Sequence, residues 1–143
     1  MNNIMNIRKL RKEDYEQYIE LINNFRPINM KISREKFNEL YDIIFKNNII
    51  FVIEIEKKII ATTKLIIDQK FFHNLAKYGH IEDVMVNKEY RGQGFGTKII
   101  EHVVNYCKKC NFFKITLTCN EKLINFYEKN DFEVYQIHMS QLL

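Results

Sequence analysis

Residues 82–97 read Glu-Asp-Val-Met-Val-Asn-Lys-Glu-Tyr-Arg-Gly-Gln-Gly-Phe-Gly-Thr, and the six from Arg91 to Gly96 decide how the chain is organised. Three of its four glycines, Gly92, Gly94 and Gly96, fall within five residues. The stretch before them, Gly79 to Val86, has the pattern of a strand. The stretch after them, Thr97 to Cys110, sets Ile99, Ile100, Val103, Val104 and Cys107 along one side of a helix. A helix start exposes unpaired amides and the positive end of the helix dipole. Glycines let such a backbone come close to an anion and adopt angles other residues resist. An anion seat over residues 92–97 and an unliganded tight turn both fit this spacing. A Walker loop does not, because no Gly-Lys-Ser/Thr closes it. A dinucleotide fingerprint does not either: its sixth position would be Thr97, and the next strand ends Thr118-Cys119-Asn120 without the acid that grips a ribose.

Outward from this centre the elements are short. Ile4 to Leu10 predicts a first strand. Asp14 to Asn24 sets Tyr15, Tyr18, Ile19 and Ile22 on one helix face. The segment holding the only proline, Pro27, reads as a loop, and Ser33 as the N-cap of a second helix with Phe37, Leu40, Tyr41, Ile44 and Phe45 on its apolar side. Ile49 to Ile55 and Ile59 to Gln69 are rich in β-branched residues and predict a hairpin turning at Glu56-Lys57-Lys58. Residues 71–77 read as a loop, Phe112 to Cys119 as a fifth strand, Leu123 to Lys129 as a short helix and Phe132 to His138 as a last strand. The order β-α-α-β-β-β-α-β-α-β is that of a mixed α/β domain.

The chain has 143 residues, which predicts one domain over residues 1–143. Apolar residues make up 46% and charged residues 28%, a globular profile. No apolar run approaches the roughly 18–20 residues that cross a bilayer, and the first residues lack the apolar core of a secretion signal. The expectation is a cytoplasmic protein that binds no membrane. The net charge of +4 suits anionic small molecules but is too mild and dispersed for nucleic acid. Three cysteines do not make a disulfide framework. Cys107 and Cys110 lack a second pair or a spaced histidine, so no metal is expected. Cys107 reads as core, Cys110 as a boundary residue and His102 as solvated.

The motif Arg-x-x-Gly-x-Gly after a strand ending Asp-Val-Met-Val resembles the acetyl-CoA-binding signature of the GCN5-related N-acetyltransferase (GNAT) family, and the element order resembles that fold. The resemblance implies that Val84, Met85 and Val86 run beside the pantetheine arm. It implies that Arg91, Gly92, Gln93, Gly94, Phe95, Gly96 and Thr97 hold the pyrophosphate of acetyl-CoA. It narrows to the branch acting on glucosamine 6-phosphate through Gly79-His80-Ile81-Glu82-Asp83-Val84, Phe113-Lys114-Ile115-Thr116-Leu117, Cys119-Asn120-Glu121-Lys122 and Phe126-Tyr127-Glu128-Lys129. Ala61-Thr62, Lys70 and His73 agree upstream. The implied product is N-acetylglucosamine 6-phosphate for UDP-N-acetylglucosamine synthesis, made by direct attack of the amine without an acyl-enzyme. The branch commonly forms homodimers, to which the last strand would contribute.

The individual residues carry two readings each. Glu82 and Asp83, adjacent on a strand, should point to opposite faces. They read either as one solvated and one structural acid or, by the resemblance, as the amino-sugar site, with Glu82 preferred as base or water-organiser. Tyr127 reads as a half-buried packing residue from its position alone. The resemblance implies that its phenol donates to the departing thiolate. Lys70, His73 and Lys114 are solvated by default and phosphate ligands by resemblance.

Three positions depart from the branch. Thr118 stands where it carries an acid, Leu123 where it carries an asparagine, and the tail His138-Met139-Ser140-Gln141-Leu142-Leu143 lacks its arginine. These departures keep open the acetylation of another amine, a protein N-terminus or a polyamine, and a non-catalytic acyl-CoA-binding module.

Overall fold

The computed structural model describes residues 4–26 and 29–143. Five strands form one sheet in the order β1-β2-β3-β4-β5: β1 Met5–Lys9, β2 Asn48–Ile55, β3 Lys58–Gln69, β4 Lys77–Val86 and β5 Lys114–Leu117. The first four are antiparallel in sequence, and β5 lies parallel to β4. The helices are α1 Tyr15–Phe25, α2 Arg34–Ile44, α4 Phe95–Lys109 and α5 Ile124–Glu128, with α3 Phe72–Leu75 a single turn whose His73 and Asn74 depart from right-handed helical angles.

Alternation along β2 explains the layers. Phe51 and Ile53 face α4, where they meet Ile99, Ile100 and Val103. Ile50 and Val52 face the other way, onto Leu21 of α1 and Phe37 of α2. A strand covered on both faces reads as a continuous apolar run, as Ile49 to Ile53 does. The β2–β3 hairpin closes on Glu56 and Lys57 at φ +50° and +65°, the left-handed pair of a tight hairpin turn made without glycine. Ser33 caps α2 by accepting a hydrogen bond from the Lys36 amide at 3.1 Å.

β1 is locked from outside the core. Arg8 forks onto both Asp14 oxygens at 2.7 and 2.9 Å and also donates to Glu54 of β2. Burial alone would raise the Asp14 carboxyl. The Arg8 hydrogen bonds, the Arg11 amide and the adjacent cations outweigh it and hold that carboxyl below its ordinary range.

Four expectations change. α4 begins at Phe95, two residues before the predicted start, because Gly94 at φ +85° caps it. His102 is half-buried, packed edge-on to Phe51 at 5.1 Å, and that burial lowers its pKa. Among the described residues no strand forms over 132–138: Val134, Tyr135 and Ile137 are all exposed. The segment has strand alternation but forms no ladder with the outer edge of β5, the last and shortest strand of the sheet at four residues. Glu82 and Asp83 also break the alternation expected of them, as the site makes clear.

Candidate active site

The glycine turn is open. Gly92 and Gly94 sit at φ +72° and +85°, and a Cβ built on either meets nothing within 4 Å. The amide of Lys98 donates to the Gly94 carbonyl, but among the described residues no acceptor engages the amides of residues 92–97. Two side chains brace the turn from behind. Arg91 Nε donates to the Val86 carbonyl at 3.1 Å, and Gln93 Nε2 to the Glu89 carbonyl at 3.1 Å. The Arg91 guanidinium lies over the Phe25 ring, 5.4 Å from its centroid. A row of unpaired amides at the start of a fifteen-residue helix has the geometry and dipole that suit a phosphate-bearing ligand.

Next to this turn, β4 is bulged and parts from β5. Its pairing with β3 jumps from Lys64↔Glu82 to Thr62↔Met85, so β4 holds one residue more than its partner. Asp83 absorbs the extra residue at φ +54°. The consequence is visible on both faces: Ile81, Val84 and Val86 all pack on the α4 side. Regular alternation would have turned Val84 away. Pairing with β5 ends at Ile81↔Leu117, which leaves Glu82 to Val86 without a strand partner on that edge. Val84, Met85 and Val86 thus form a free edge leading into the glycine turn.

The bulge also brings the two acids together. Lys64 Nζ lies 3.7 Å from Glu82 and 3.3 Å from Asp83. The expectation that these carboxylates point apart fails because Asp83 is not in extended conformation. Lys64 itself escaped the sequence reading; its only signal is a lone cation in the apolar run from Ile59 to Ile67. Thr63 Oγ1 donates to the Glu82 carbonyl at 3.0 Å and fixes the bulge from β3.

Tyr127 is buried, 8% exposed, between the rings of Phe126 and Phe132. Burial, with Cys119 nearby, raises its pKa, so the phenol holds its proton above the usual tyrosine range. Among the described residues none hydrogen-bonds its hydroxyl, which leaves a donor free for a ligand.

The three predicted phosphate ligands converge at the other end of β4. His73 stacks on Phe113 at 4.1 Å, and Phe113 on Tyr78 at 5.5 Å. The ammonium groups of Lys70 and Lys114 each lie 5.4 Å from the Tyr78 ring centroid. Lys70 also pairs with Asp68, and Lys114 meets Tyr135 at 4.7 Å. His73, Asn74 and Leu75 are successive left-handed residues, a conformation that costs about 1–2 kcal/mol each. The His73 stack and the Gln69 side-chain amide, bonded to the Leu75 carbonyl at 2.8 Å, hold them there.

The sequence pattern of the acetyltransferase (GNAT) family matches residues 6–132. The chain belongs to that family. This acetyltransferase is 37% identical over 115 residues to glucosamine 6-phosphate N-acetyltransferase 1 of Dictyostelium discoideum, covering 77% of this chain and 73% of the relative. It is 35% identical to glucosamine 6-phosphate N-acetyltransferase of Arabidopsis thaliana over 141 residues, 94% of each chain. The crystal structure of the Arabidopsis glucosamine-6-phosphate N-acetyltransferase superposes with a TM-score of 0.88 over 97% of this chain and 98% of that one, at 34% identity. A Trypanosoma brucei acetyltransferase superposes with a TM-score of 0.92 at 26% identity, over 98% of this chain and 100% of that one.

In this acetyltransferase the open amides and free β4 edge fit acetyl-CoA, the donor its family uses. Thr118 Oγ1, just past the end of β5, lies 3.5 Å from His138 Nδ1 of the exposed tail. His138 therefore reaches the sheet edge at the C-terminal end of β5.

Proposed function

We propose that this acetyltransferase moves acetyl from acetyl-CoA to the 2-amino group of glucosamine 6-phosphate, giving N-acetylglucosamine 6-phosphate for UDP-N-acetylglucosamine synthesis. The observation that carries the reading is the turn of unpaired amides at residues 92–97, set at the end of the free β4 edge and beside the Glu82–Asp83–Lys64 cluster. The named activities of the relatives supply the substrate.

Acetyl-CoA supplies the acetyl group as an activated thioester. Residues Gly92 to Thr97 grip the pyrophosphate through their amides, and the backbone of Val84, Met85 and Val86 lies along the pantetheine. Main-chain N–H groups near Val84 and Val86 polarise the thioester carbonyl. Glu82 takes the proton of the attacking amine, and Asp83 orients that amine. Tyr127 donates its phenolic proton to the sulfur as it leaves. Holding both reactants together makes direct transfer sufficient, without an acyl-enzyme. Lys70, His73 and Lys114 bind the sugar phosphate as separate point charges. They do the work of the arginine that the tail lacks.

The protein functions as a cytoplasmic homodimer of one domain per chain. The dimer is supported by the tail, whose Val134, Tyr135, Ile137 and Met139 are all exposed large apolar residues. Acetylation of another amine is the second reading, favoured by Thr118 in place of the acid.

Thiol release decides between them. Purified protein with acetyl-CoA should release thiol on addition of glucosamine 6-phosphate. Release with peptides or polyamines alone moves the substrate to the second reading. Acetyl-CoA binding without turnover on any amine makes the protein a binding module.

A further inference from the structure

Two residues the proposed reaction does not use stand between its basic end and its acids. His80 and Thr116 are register partners on β4 and β5. His80 Nδ1 lies 2.8 Å from Thr116 Oγ1, and its Nε2 lies 3.5 Å from Glu82 Oε1. The other Glu82 oxygen, Oε2, faces Lys64 Nζ at 3.7 Å. Each oxygen of the Glu82 carboxylate thus faces its own basic side chain, one from β4 and one from β3.

The partners assign the imidazole tautomer. A carboxylate accepts only, so Nε2 carries the proton and donates toward Glu82. Nδ1 then accepts from the Thr116 hydroxyl, and that short contact fixes the ring plane. His80 and Glu82 are two apart on one strand, so they share a face without help from the bulge. The Nε2–Oε1 contact is longer than a tight hydrogen bond, as is common in catalytic sites before substrate draws the groups together.

We propose that His80 is a positioning residue for acetyl transfer: held by Thr116, it clamps the Glu82 carboxylate against Lys64 and aims it at the acceptor amine. This rests on Glu82 being the base in the reading above. Thr116 acts only through His80, so a change at Thr116 should register in turnover although its side chain meets no reacting atom.

The test compares Thr116→Val, Thr116→Ser, His80→Gln and the double variant His80→Gln/Thr116→Val, by kcat and KM with glucosamine 6-phosphate and by nitrogen NMR of the resting imidazole. Thr116→Val should lower kcat by about tenfold, leave KM for acetyl-CoA unchanged, and lose the Nε2–H tautomer signature. Thr116→Ser keeps the hydroxyl and should restore both. The double variant should be no worse than His80→Gln alone, because both changes cut one chain of contacts. Full kcat in Thr116→Val, multiplying losses in the double variant, or an Nδ1–H tautomer in the unaltered protein would each overturn the clamp. The NMR readout needs no substrate. A protein that ignores glucosamine 6-phosphate but shows the Nε2–H tautomer, lost in Thr116→Val, would refute the substrate and retain the clamp.

Discussion

Asp83 holds its carboxylate 3.3 Å from the Lys64 ammonium only because its own backbone sits in the left-handed region, at φ +54°. An extended Asp83 would face away from Glu82. The bulge therefore sets the chemistry of two acids by spending backbone strain at one.

That strain separates two substitutions at the same place. Glycine tolerates positive φ and alanine does not, so Asp83→Ala should unfold more easily than Asp83→Gly by about 1 kcal/mol. Both lose the carboxylate, and turnover should fall equally in both. Equal urea midpoints for the two variants would remove the bulge as the source of the geometry.

Gly94→Ala tests the glycine turn. At φ +85° the new Cβ is strained by about 1 kcal/mol, although it meets no neighbour. Relief of the strain must move the amides that open α4. Acetyl-CoA affinity, measured by calorimetry, should drop at least about tenfold with a small change in melting temperature. Unchanged affinity would mean that these amides do not hold the pyrophosphate.

Tyr127→Phe removes a hydroxyl that has no hydrogen-bond partner among the described residues. Stability and acetyl-CoA KM should stay as they are, while kcat falls by roughly ten- to a hundredfold, the range of one positioned proton donor. The raised pKa keeps the phenol protonated as pH climbs, so its deprotonation should not limit turnover at neutral or mildly alkaline pH. A kcat equal to that of the unaltered enzyme excludes Tyr127 from thiolate departure.

Alkaline stability should track Tyr18. Burial against the sheet, and secondarily the Asp83 charge, outweigh the Thr62 hydroxyl and push its phenol to about 12, from 10.0 in the unfolded chain. A pKa raised by folding gives stability that is whole below the unfolded value and lost as pH rises through the folded one. The loss falls between pH 10 and about 12 and amounts to at most about 3 kcal/mol. Tyr18→Phe should lose less stability than the unaltered protein between pH 8 and pH 11 in urea titrations. An identical loss would place Tyr18 in water.

Ile137→Asp probes the tail. A charge among exposed apolar residues should not disturb the single chain, but it should dissociate a dimer that buries this segment. Sedimentation at several concentrations reads the outcome; an unchanged mass excludes the tail from the contact.

The order of the main elements from β1 to α5, the core faces of α4 and β2 and the glycine turn were legible in the chain, because each depends on spacing along it. Ile99, Ile100, Val103 and Cys107 announce a helix face by themselves. Gly92 and Gly94 announce a turn, since few other residues take positive φ at low cost. The resemblance carried by residues 59–132 held at the level of family.

What spacing cannot carry is which residues face each other. A run of Glu-Asp-Val-Met-Val looks like uninterrupted strand. Only pairing with β3 shows that Asp83 is the extra residue, and that Glu82 and Asp83 meet at Lys64 from another strand. Thr116 gained its place beside His80 from the parallel register of β5, 36 residues away. Residues 132–138 have the alternation of a strand but pair with no strand among the described residues, because alternation along the chain does not by itself make a ladder. Local steric preference determined the elements; long-range pairing, which no stretch of sequence contains, decided the site.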